Sequence, residues 1–394
     1  MNSVAGKNIH EDSALARGID LVGVGKKGGK SCSRELAEEI AGVLRRGRAD
    51  AVAAGAFLGA IWMKGLSPEE EPLRIFSPES YFTELRGELA DIYRKISGEQ
   101  VLTPDEAYRL GRFLFADDEA MDSLRALFAS ALRVRHAEAP EYVGISRALR
   151  ETFHPCWTRE YRGHRPLVSL ADPFDGVNRS HLITPLLCDQ LNRRGLSCVV
   201  ASGRSSGPKF GINLRDLGIA LHERFVSDPD EAGDLPGPTT FYLDQEALSS
   251  PLVRWRSLRA RLRKRPFLAT IEKLVDPLGA DILMASVFHG GFNEKMVDVA
   301  EGHGFSRIAV IFRAVEGTLG LSLARSARIL VSRRLEDGTY RRVEMTMDPL
   351  DFGFKKESDP DVGVLSVSEN RRLVETFRNQ GHSGDSYFDR RVGI

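Results

Sequence analysis

The apolar positions of the first 160 residues follow the spacing of α-helices. The pattern is helical between Ser31 and Lys64, where one helix face carries Leu36, Ile40, Val43 and Leu44. Within this range, residues 53–62 are rich in small side chains that suit close helix packing. Two segments, Ser67–Glu70 and Thr103–Glu106, have the form of a capping box with proline at the first helical position. The pattern predicts a helical domain over residues 31–160.

A second stretch of the chain repeats this design. Ala-Leu-Phe-Ala-Ser-Ala at 126–131 echoes Ala-Gly-Ala-Phe-Leu-Gly-Ala at 54–60, and Pro140-Glu141 echoes Pro68-Glu69 after nearly the same interval. We therefore predict a duplicated helical unit, with copies at 31–70 and 103–147. Residues 1–30 end in a glycine- and lysine-rich run without the spacing of a phosphate-binding P-loop, and we interpret them as a leader or linker.

After residue 165 the pattern changes to short apolar runs separated by helical stretches. The runs lie at 167–171, 197–201, 240–243, 282–288 and 308–312, and helical spacing covers 182–195, 211–225 and 291–303. Strands that alternate with helices predict a mostly parallel sheet covered on both faces. Residues 327–333 and 340–347 predict an antiparallel pair around a turn at 336–338. The fold class is thus a two-domain α+β and α/β protein, with a large α/β domain over 165–394.

Composition and charge narrow the classes of function. The 394 residues carry 55 basic and 55 acidic side chains, so no overall field attracts nucleic acid or a membrane. The four cysteines are scattered without a CxxC pair, which is typical of a reducing cytoplasm. No uncharged apolar stretch approaches the length of a membrane span, and the first residues lack the apolar core of a signal peptide. We expect a cytoplasmic protein without a membrane partner.

One stretch has the local form of an anion-binding site. The apolar run Leu167–Ala171 breaks into the turn Asp172-Pro-Phe-Asp-Gly176, and a helical pattern resumes at Leu182. A strand, a tight turn and a helix N-terminus can present backbone N–H groups to an anion. An ordinary βα turn of an α/β domain explains the same pattern. Farther upstream, His154 and Cys156 could suggest a metal, but two ligands make no site, and we interpret 154–157 as a hinge.

A basic cluster carries two further interpretations. Residues 254–265 hold seven basic side chains in twelve positions, namely Arg254, Arg256, Arg259, Arg261, Arg263, Lys264 and Arg265. The cluster could be a solvated helix face that balances acidic helices elsewhere. It could also be a strip that binds phosphate or nucleic acid, with Trp255 stacking on a base.

Several motifs resemble those of the anthranilate phosphoribosyltransferase family, which shares its fold with pyrimidine nucleoside phosphorylases. Val287-Phe288-His289 followed by Met296 is similar to the family's VFH…M junction, and Asp348–Phe354 is similar to its PxDFG signature. Lys64-Gly-Leu-Ser-Pro-Glu69 resembles its KGxTPEE turn. The resemblance implies a helical domain packed on a large α/β domain, a homodimer, and phosphoribosyl pyrophosphate bound with magnesium between the domains.

The resemblance also implies roles for individual residues. The donor-phosphate turn retains Asp175, Gly176, Asn178 and Thr184 of the family's GTGGDGxNxxNxST loop, but Ala171, Asp172, Pro173 and Phe174 replace Gly, Thr, Gly and Gly. The segment in place of the KHGNR loop offers a glycine turn, hydroxyls and two cations suited to a phosphate, at Ser202, Gly203, Arg204, Ser206 and Lys209. Arg265 and His289 would face the substrate. Where the family has an acidic pair for magnesium, one carboxylate remains, that of Glu316.

Two functional hypotheses follow from these residues. The first is a glycosyltransferase or phosphoribosyltransferase that acts on a phosphorylated pentose. Its altered donor and metal motifs argue against phosphoribosyl-anthranilate as the product. The second is a non-catalytic paralogue that binds nucleic acid along 254–265. The retained hydroxyls and cations of the donor loops favour the enzyme.

Overall fold

The computed structural model describes residues 13–25, 28–47, 49–360 and 365–394. The chain divides into a helical unit, made of residues up to Leu149 together with 251–268, and an α/β unit, made of 150–250 and 269–394. The parts of the leader prediction that fall on residues 1–12 and 26–27 lie outside the described residues. Placing 165–394 in one continuous domain was wrong at 251–268, because the apolar face of that segment packs within the helical unit.

The helical unit is built from short, capped helices. Their bounds are α1 Ala14–Val22, α2 Arg34–Arg45, α3 Ala51–Lys64, α4 Pro78–Tyr81, α5 Glu88–Ser97, α6 Pro104–Leu114, α7 Asp122–Arg135 and α8 Ala139–Arg150. Side-chain oxygens of Ser13, Ser33 and Asp50 accept from backbone N–H groups in the first turns of α1 to α3. Helix α1 corrects the leader prediction, because Leu15, Ile19 and Val22 are buried.

The centre of this unit is the contact between α3 and α7. Helix α3 is apolar on all sides, and Gly55 and Gly59 lie directly against the backbone oxygens of Ser123 and Leu127. A Cβ atom at either glycine would overlap those oxygens, so only glycine permits this approach. The small-residue pattern therefore predicted close helix packing correctly.

A buried glutamate recurs at similar positions in the two predicted copies of the helical unit. Glu70 accepts from the Cys32 N–H, 38 residues upstream, and pairs with Lys64 at 2.7 Å. Glu141 accepts from the Leu102 N–H, 39 residues upstream, and pairs with Arg135. Both carboxylates are fully buried, and each also accepts from the backbone N–H three residues before it. These matching networks support the inference of a duplicated unit.

The α/β unit is organised around one sheet. Among the described residues seven strands lie in the order β3-β2-β1-β4-β5-β6-β7, with bounds β1 Leu167–Ala171, β2 Ser197–Ser202, β3 Thr240–Asp244, β4 Ile282–Val287, β5 Arg307–Phe312, β6 Ala327–Arg334 and β7 Tyr340–Met347. Strands β1 to β5 are parallel, and β6 and β7 add antiparallel to β5. The predicted mostly parallel sheet is confirmed.

Helices cover the sheet and close its core. They are α9 Thr184–Arg193, α10 Leu214–Ala220, α11 Pro229–Gly233, α12 Gln245–Leu248, α14 Leu268–Ile271, α15 Phe292–His303, α16 Val367–Gln380 and α17 Ser386–Val392, while α13 Ser250–Leu262 belongs to the helical unit from residue 251 onward. Strands β1 and β2 are buried along their whole length. No helix in the described ranges is long and apolar enough to span a membrane.

The topology indicates where a ligand would bind. The chain runs outward from β1 to β3 and then returns to place β4 on the other side of β1. Ligands of open α/β sheets bind outside the carboxyl ends of the strands where the strand order reverses. In this unit that point lies between the segments that follow β1 and β4, beginning at Asp172 and Phe288.

Candidate functional site

The segment after β1 is anchored by a buried carboxylate. Asp172 is 2% exposed and accepts at Oδ1 from the Leu319 N–H over 2.8 Å. Its Oδ2 accepts from the hydroxyl of Thr184, the first residue of α9. Burial raises the pKa of Asp172, while the Thr184 hydroxyl and the Leu319 N–H act in the opposite direction. The residue that replaces a family threonine thus connects three segments at the carboxyl edge of the sheet.

The two predicted phosphate loops are joined to each other. Val177 and Ile212 exchange backbone hydrogen bonds of 2.8 and 3.1 Å, and the Gly211 N–H donates to the Asp175 carbonyl over 3.1 Å. Gly176 has φ +80° and lies against the Gly211 carbonyl, where a Cβ would overlap it. Glycine is therefore required at this position for the two loops to meet.

Asn213 holds both loops from beneath. It is fully buried, and its Nδ2 donates to the carbonyls of Phe174 at 3.1 Å and Gly203 at 2.8 Å. Its Oδ1 accepts from the Asp216 N–H at the start of α10. Asn213 is not among the predicted site residues, although an asparagine directly before an apolar helical pattern is a recognisable N-cap signal.

Glu316 lies where the donor turn presents its N–H groups. Its Oε2 accepts from the N–H of Arg179 at 2.7 Å and of Asn178 at 3.2 Å. Its Oε1 accepts from Lys209 Nζ at 2.7 Å. The two predicted loops and the predicted metal ligand therefore meet at one carboxylate.

The geometry around Glu316 does not fit a magnesium ion held by the protein. Both carboxylate oxygens already accept hydrogen bonds, one of them from the Lys209 ammonium. No group of three or more His, Cys, Asp or Glu side chains within the described ranges is arranged to hold a metal. The metal role of Glu316 stays a prediction.

Other predicted residues lie apart from this carboxylate. Ser202, Gly203 and Ser206 are buried in the second loop, and the Arg204 guanidinium faces Glu246 at 3.7 Å. His289 is exposed after β4, where its ring contacts that of Phe288. Arg265 belongs to the helical unit. The structure thus brings together the donor turn, Lys209 and Glu316.

Two buried cations support the segments around the site. Lys273 Nζ donates to the carbonyls of Ser286 at 2.6 Å and Gly317 at 3.2 Å. Arg391, from the C-terminal helix α17, donates to the carbonyls of Leu321 and His181 at 3.1 and 3.2 Å. Burial lowers the pKa of Arg391. No sequence pattern connected Arg391 to the donor turn, because their proximity depends on the docking of α17.

The basic cluster forms part of the core and ion pairs of the helical unit. Trp255 is 1% exposed and donates from Nε1 to the Leu114 carbonyl at 3.0 Å, so its ring is not available to stack on a base. Arg254 pairs with Asp117, Arg261 pairs with Asp50, and Arg263 and Lys264 pair with Asp20. Arg259 is buried. These contacts favour a structural role for the cluster.

A cavity of about 500 Å³ lies elsewhere in the α/β unit. Its lining includes Trp157, Phe225, Arg215, His154 and Cys156. His154 Nδ1 and Cys156 Sγ are 3.1 Å apart. The segment predicted as a hinge thus lines one side of a cavity.

No protein-family profile matches the chain. An uncharacterized protein of Aquifex aeolicus is 23% identical over 283 residues, which cover 70% of this chain and 81% of that protein.

Several solved structures share the fold. Anthranilate phosphoribosyltransferase from Thermus thermophilus has a TM-score of 0.59 at 22% identity, over 77% of this chain and 86% of that one. The Saccharomyces cerevisiae enzyme in complex with PRPP and Mg has a TM-score of 0.60 at 14% identity, over the same shares of the two chains. The same yeast enzyme in complex with 4-fluoroanthranilate has a TM-score of 0.59 at 14% identity, over 78% and 86%.

Proposed function

We propose that this chain, which has the fold of anthranilate phosphoribosyltransferase, is a glycosyltransferase that binds a phosphorylated pentose donor such as phosphoribosyl pyrophosphate. The observation that carries the proposal is the convergence of two backbone N–H groups and the Lys209 ammonium on one point between the two loops at the carboxyl edge of the sheet. The yeast enzyme of the same fold was solved with PRPP and Mg. A site that gathers such donors is suited to a phosphate group.

Catalysis at such a site depends on position and charge. The N–H groups of Asn178 and Arg179 and the Lys209 ammonium would hold donor phosphate and stabilise the negative charge that grows on it as the glycosidic bond breaks. Asp172, Thr184 and Asn213 would keep the loops in place, because each is buried and hydrogen-bonded across segments. Magnesium would be held by the phosphates of the donor and not by Glu316, whose two oxygens already accept hydrogen bonds.

The altered turn supports donor binding that differs from that of the family's anthranilate enzymes. Pro173 and Phe174 stand where the family has glycines, and both are buried. Proline has no N–H to donate, and a phenylalanine side chain fills space that a glycine leaves open. The turn therefore offers fewer backbone donors to a pyrophosphate than the family's glycine-rich loop.

Titration calorimetry with phosphoribosyl pyrophosphate and magnesium tests the proposal. We expect binding to the wild-type chain, and a Kd raised by about ten- to a hundredfold in Lys209→Ala, since a charge-assisted hydrogen bond contributes about 1.5–3 kcal/mol. The matched control is Arg341→Ala, which also removes one cation. Arg341 is exposed on β7 opposite Arg333, at the far end of the sheet from the loops.

Two results would contradict the proposal. One is the absence of heat from the wild-type chain at millimolar donor. The other is an equal loss of affinity in Lys209→Ala and Arg341→Ala, because a general effect of charge would then explain the binding. Product analysis with candidate acceptors would follow only after donor binding is established.

A further inference from the structure

We infer that the Glu316 carboxylate is a built-in occupant of the anion site between the two loops, and that a phosphate group of the ligand must displace it. This inference rests on the proposed function for the identity of the ligand. A metal ligand at this position would strengthen donor binding, whereas the Glu316 side chain in this role would weaken it.

The hydrogen bonds of Glu316 are those of a bound anion. The Arg179 and Asn178 N–H groups donate to Oε2, and the Lys209 ammonium donates to Oε1. The side chains of Glu316 and Lys209 are 16% and 24% exposed, so the pair is largely withdrawn from water. Two consecutive backbone N–H groups and an ammonium form the kind of concave donor set that binds phosphate oxygens. The carboxylate supplies the negative charge that this donor set would otherwise take from a ligand.

The backbone around Glu316 is fixed, so the side chain is the part that can leave. Glu316 has φ 53° and ψ 15°, a left-handed conformation that residues other than glycine rarely adopt. On the far side of this turn the Leu319 N–H is bound by Asp172, and the Val315 N–H donates to the Gly320 carbonyl at 3.1 Å. These contacts do not involve the Glu316 side chain. Rotation of that side chain would therefore open the site without dismantling the turn.

Occupancy by Glu316 has a consequence for ligand choice. The apparent affinity of a ligand falls in proportion to the fraction of molecules in which its site is open. A carboxylate carries one negative charge, so a singly charged anion gains little by replacing it. A pyrophosphate group carries more charge and more acceptor oxygens than the carboxylate, and it gains more from Lys209 and the two N–H groups. The site would thus select polyphosphorylated donors over weakly charged anions.

The test is titration calorimetry with inorganic pyrophosphate and no metal. We expect Glu316→Gln and Glu316→Ala to bind with a Kd at least about tenfold lower than that of the wild-type chain, because the competing charge is removed. Glu336→Gln is the matched control, since Glu336 is an exposed glutamate in the β6–β7 turn, and its Kd should equal the wild-type value. The glutamine variant keeps the size of the side chain, so it guards against loss of folding in the alanine variant.

An unchanged or raised Kd in folded Glu316→Gln, or no binding by any variant, would overturn the inference. A metal-ligand role makes the opposite prediction for phosphoribosyl pyrophosphate with magnesium, namely weaker binding in both Glu316 variants. The two proposals can also fail separately. If the variants bind pyrophosphate more tightly but no form binds phosphoribosyl pyrophosphate, the proposed function fails and the occupant role stands. If all forms bind that donor equally, the occupant role fails and the proposed function stands.

Discussion

Asn213 offers the sharpest test of how the two loops are held together. Its side chain makes three hydrogen bonds, to the carbonyls of Phe174 and Gly203 and from the N–H of Asp216. Asn213→Ser would keep an oxygen to cap α10 but would lose both loop contacts. Asn213→Ala would lose the cap as well. The comparison of the two variants therefore separates the loop contacts from the cap.

The expected magnitudes follow from the bonds that are lost. A net hydrogen bond contributes about 1 kcal/mol, so Asn213→Ser should reduce the free energy of unfolding by about 2 kcal/mol, and by more if the two carbonyls remain without a donor. Loss of the N-cap adds about 1 kcal/mol in Asn213→Ala. Because the two carbonyls belong to the loops after β1 and β2, Asn213→Ser should also weaken pyrophosphate binding at temperatures where the variant is folded.

Urea unfolding and calorimetric titration of the same samples provide the measurement. The control is Asn379→Ser, at an exposed position of α16, where a substitution should change stability by less than about 0.5 kcal/mol. If Asn213→Ser matches the wild-type chain in both stability and pyrophosphate affinity, Asn213 does not hold the loops. If stability falls while affinity is unchanged, the contacts stabilise the fold without positioning the site.

Three further predictions concern other parts of the molecule. Arg261→Ala with Arg263→Ala should lower the stability of the helical unit by about 1–2 kcal/mol through the loss of two half-exposed ion pairs, whereas the nucleic-acid hypothesis predicts lower affinity and a smaller salt dependence in a DNA-binding titration. A disulfide reagent should modify half-buried Cys156 quickly and the buried Cys32, Cys188 and Cys198 slowly, as mass spectrometry of peptides would show, since burial raises the pKa of Cys32 to about 12. Burial lowers the pKa of His303 to about 4 from an ordinary 6.5, so the unfolded chain binds this proton first, and His303 should contribute a loss of up to about 3 kcal/mol in the free energy of unfolding as pH drops from 6.5 to 4. Unfolding measured across pH should show a smaller fall in His303→Asn, which lacks this contribution but keeps that of the carboxylates with lowered pKa values.

Local patterns predicted most of the fold. The strands at 167–171, 197–202, 240–244, 282–287 and 307–312 appear where short apolar runs were found, because a buried parallel strand needs apolar side chains on both faces. The hairpin of β6 and β7 has its predicted turn at 336–338. Helices α3, α6 and α7 also lie where capping boxes and small residues indicated helices.

Local patterns failed where a contact came from distant parts of the chain. The arginine-rich helix α13 was assigned to the α/β domain by its position in sequence, yet its tryptophan and arginines contact residues 50, 114 and 117 of the helical unit. Arg263, directly after the helix, pairs with residue 20 of the same unit. A run of basic residues gives no information on where its acidic partners lie. The balance of charges in the composition was consistent with such pairing but could not identify the pairs.

The donor turn shows the same division at the level of chemistry. Its position, its glycine at 176 and the cation at 209 could be read from residue types, because strand, turn and cation each have a local signature. That the Glu316 carboxylate lies on the Asn178 and Arg179 N–H groups depends on β1 and β5 being brought into one sheet with β4 between them. Sequence can name the donors and acceptors of a site, but their pairing across 137 residues follows from the path of the folded chain.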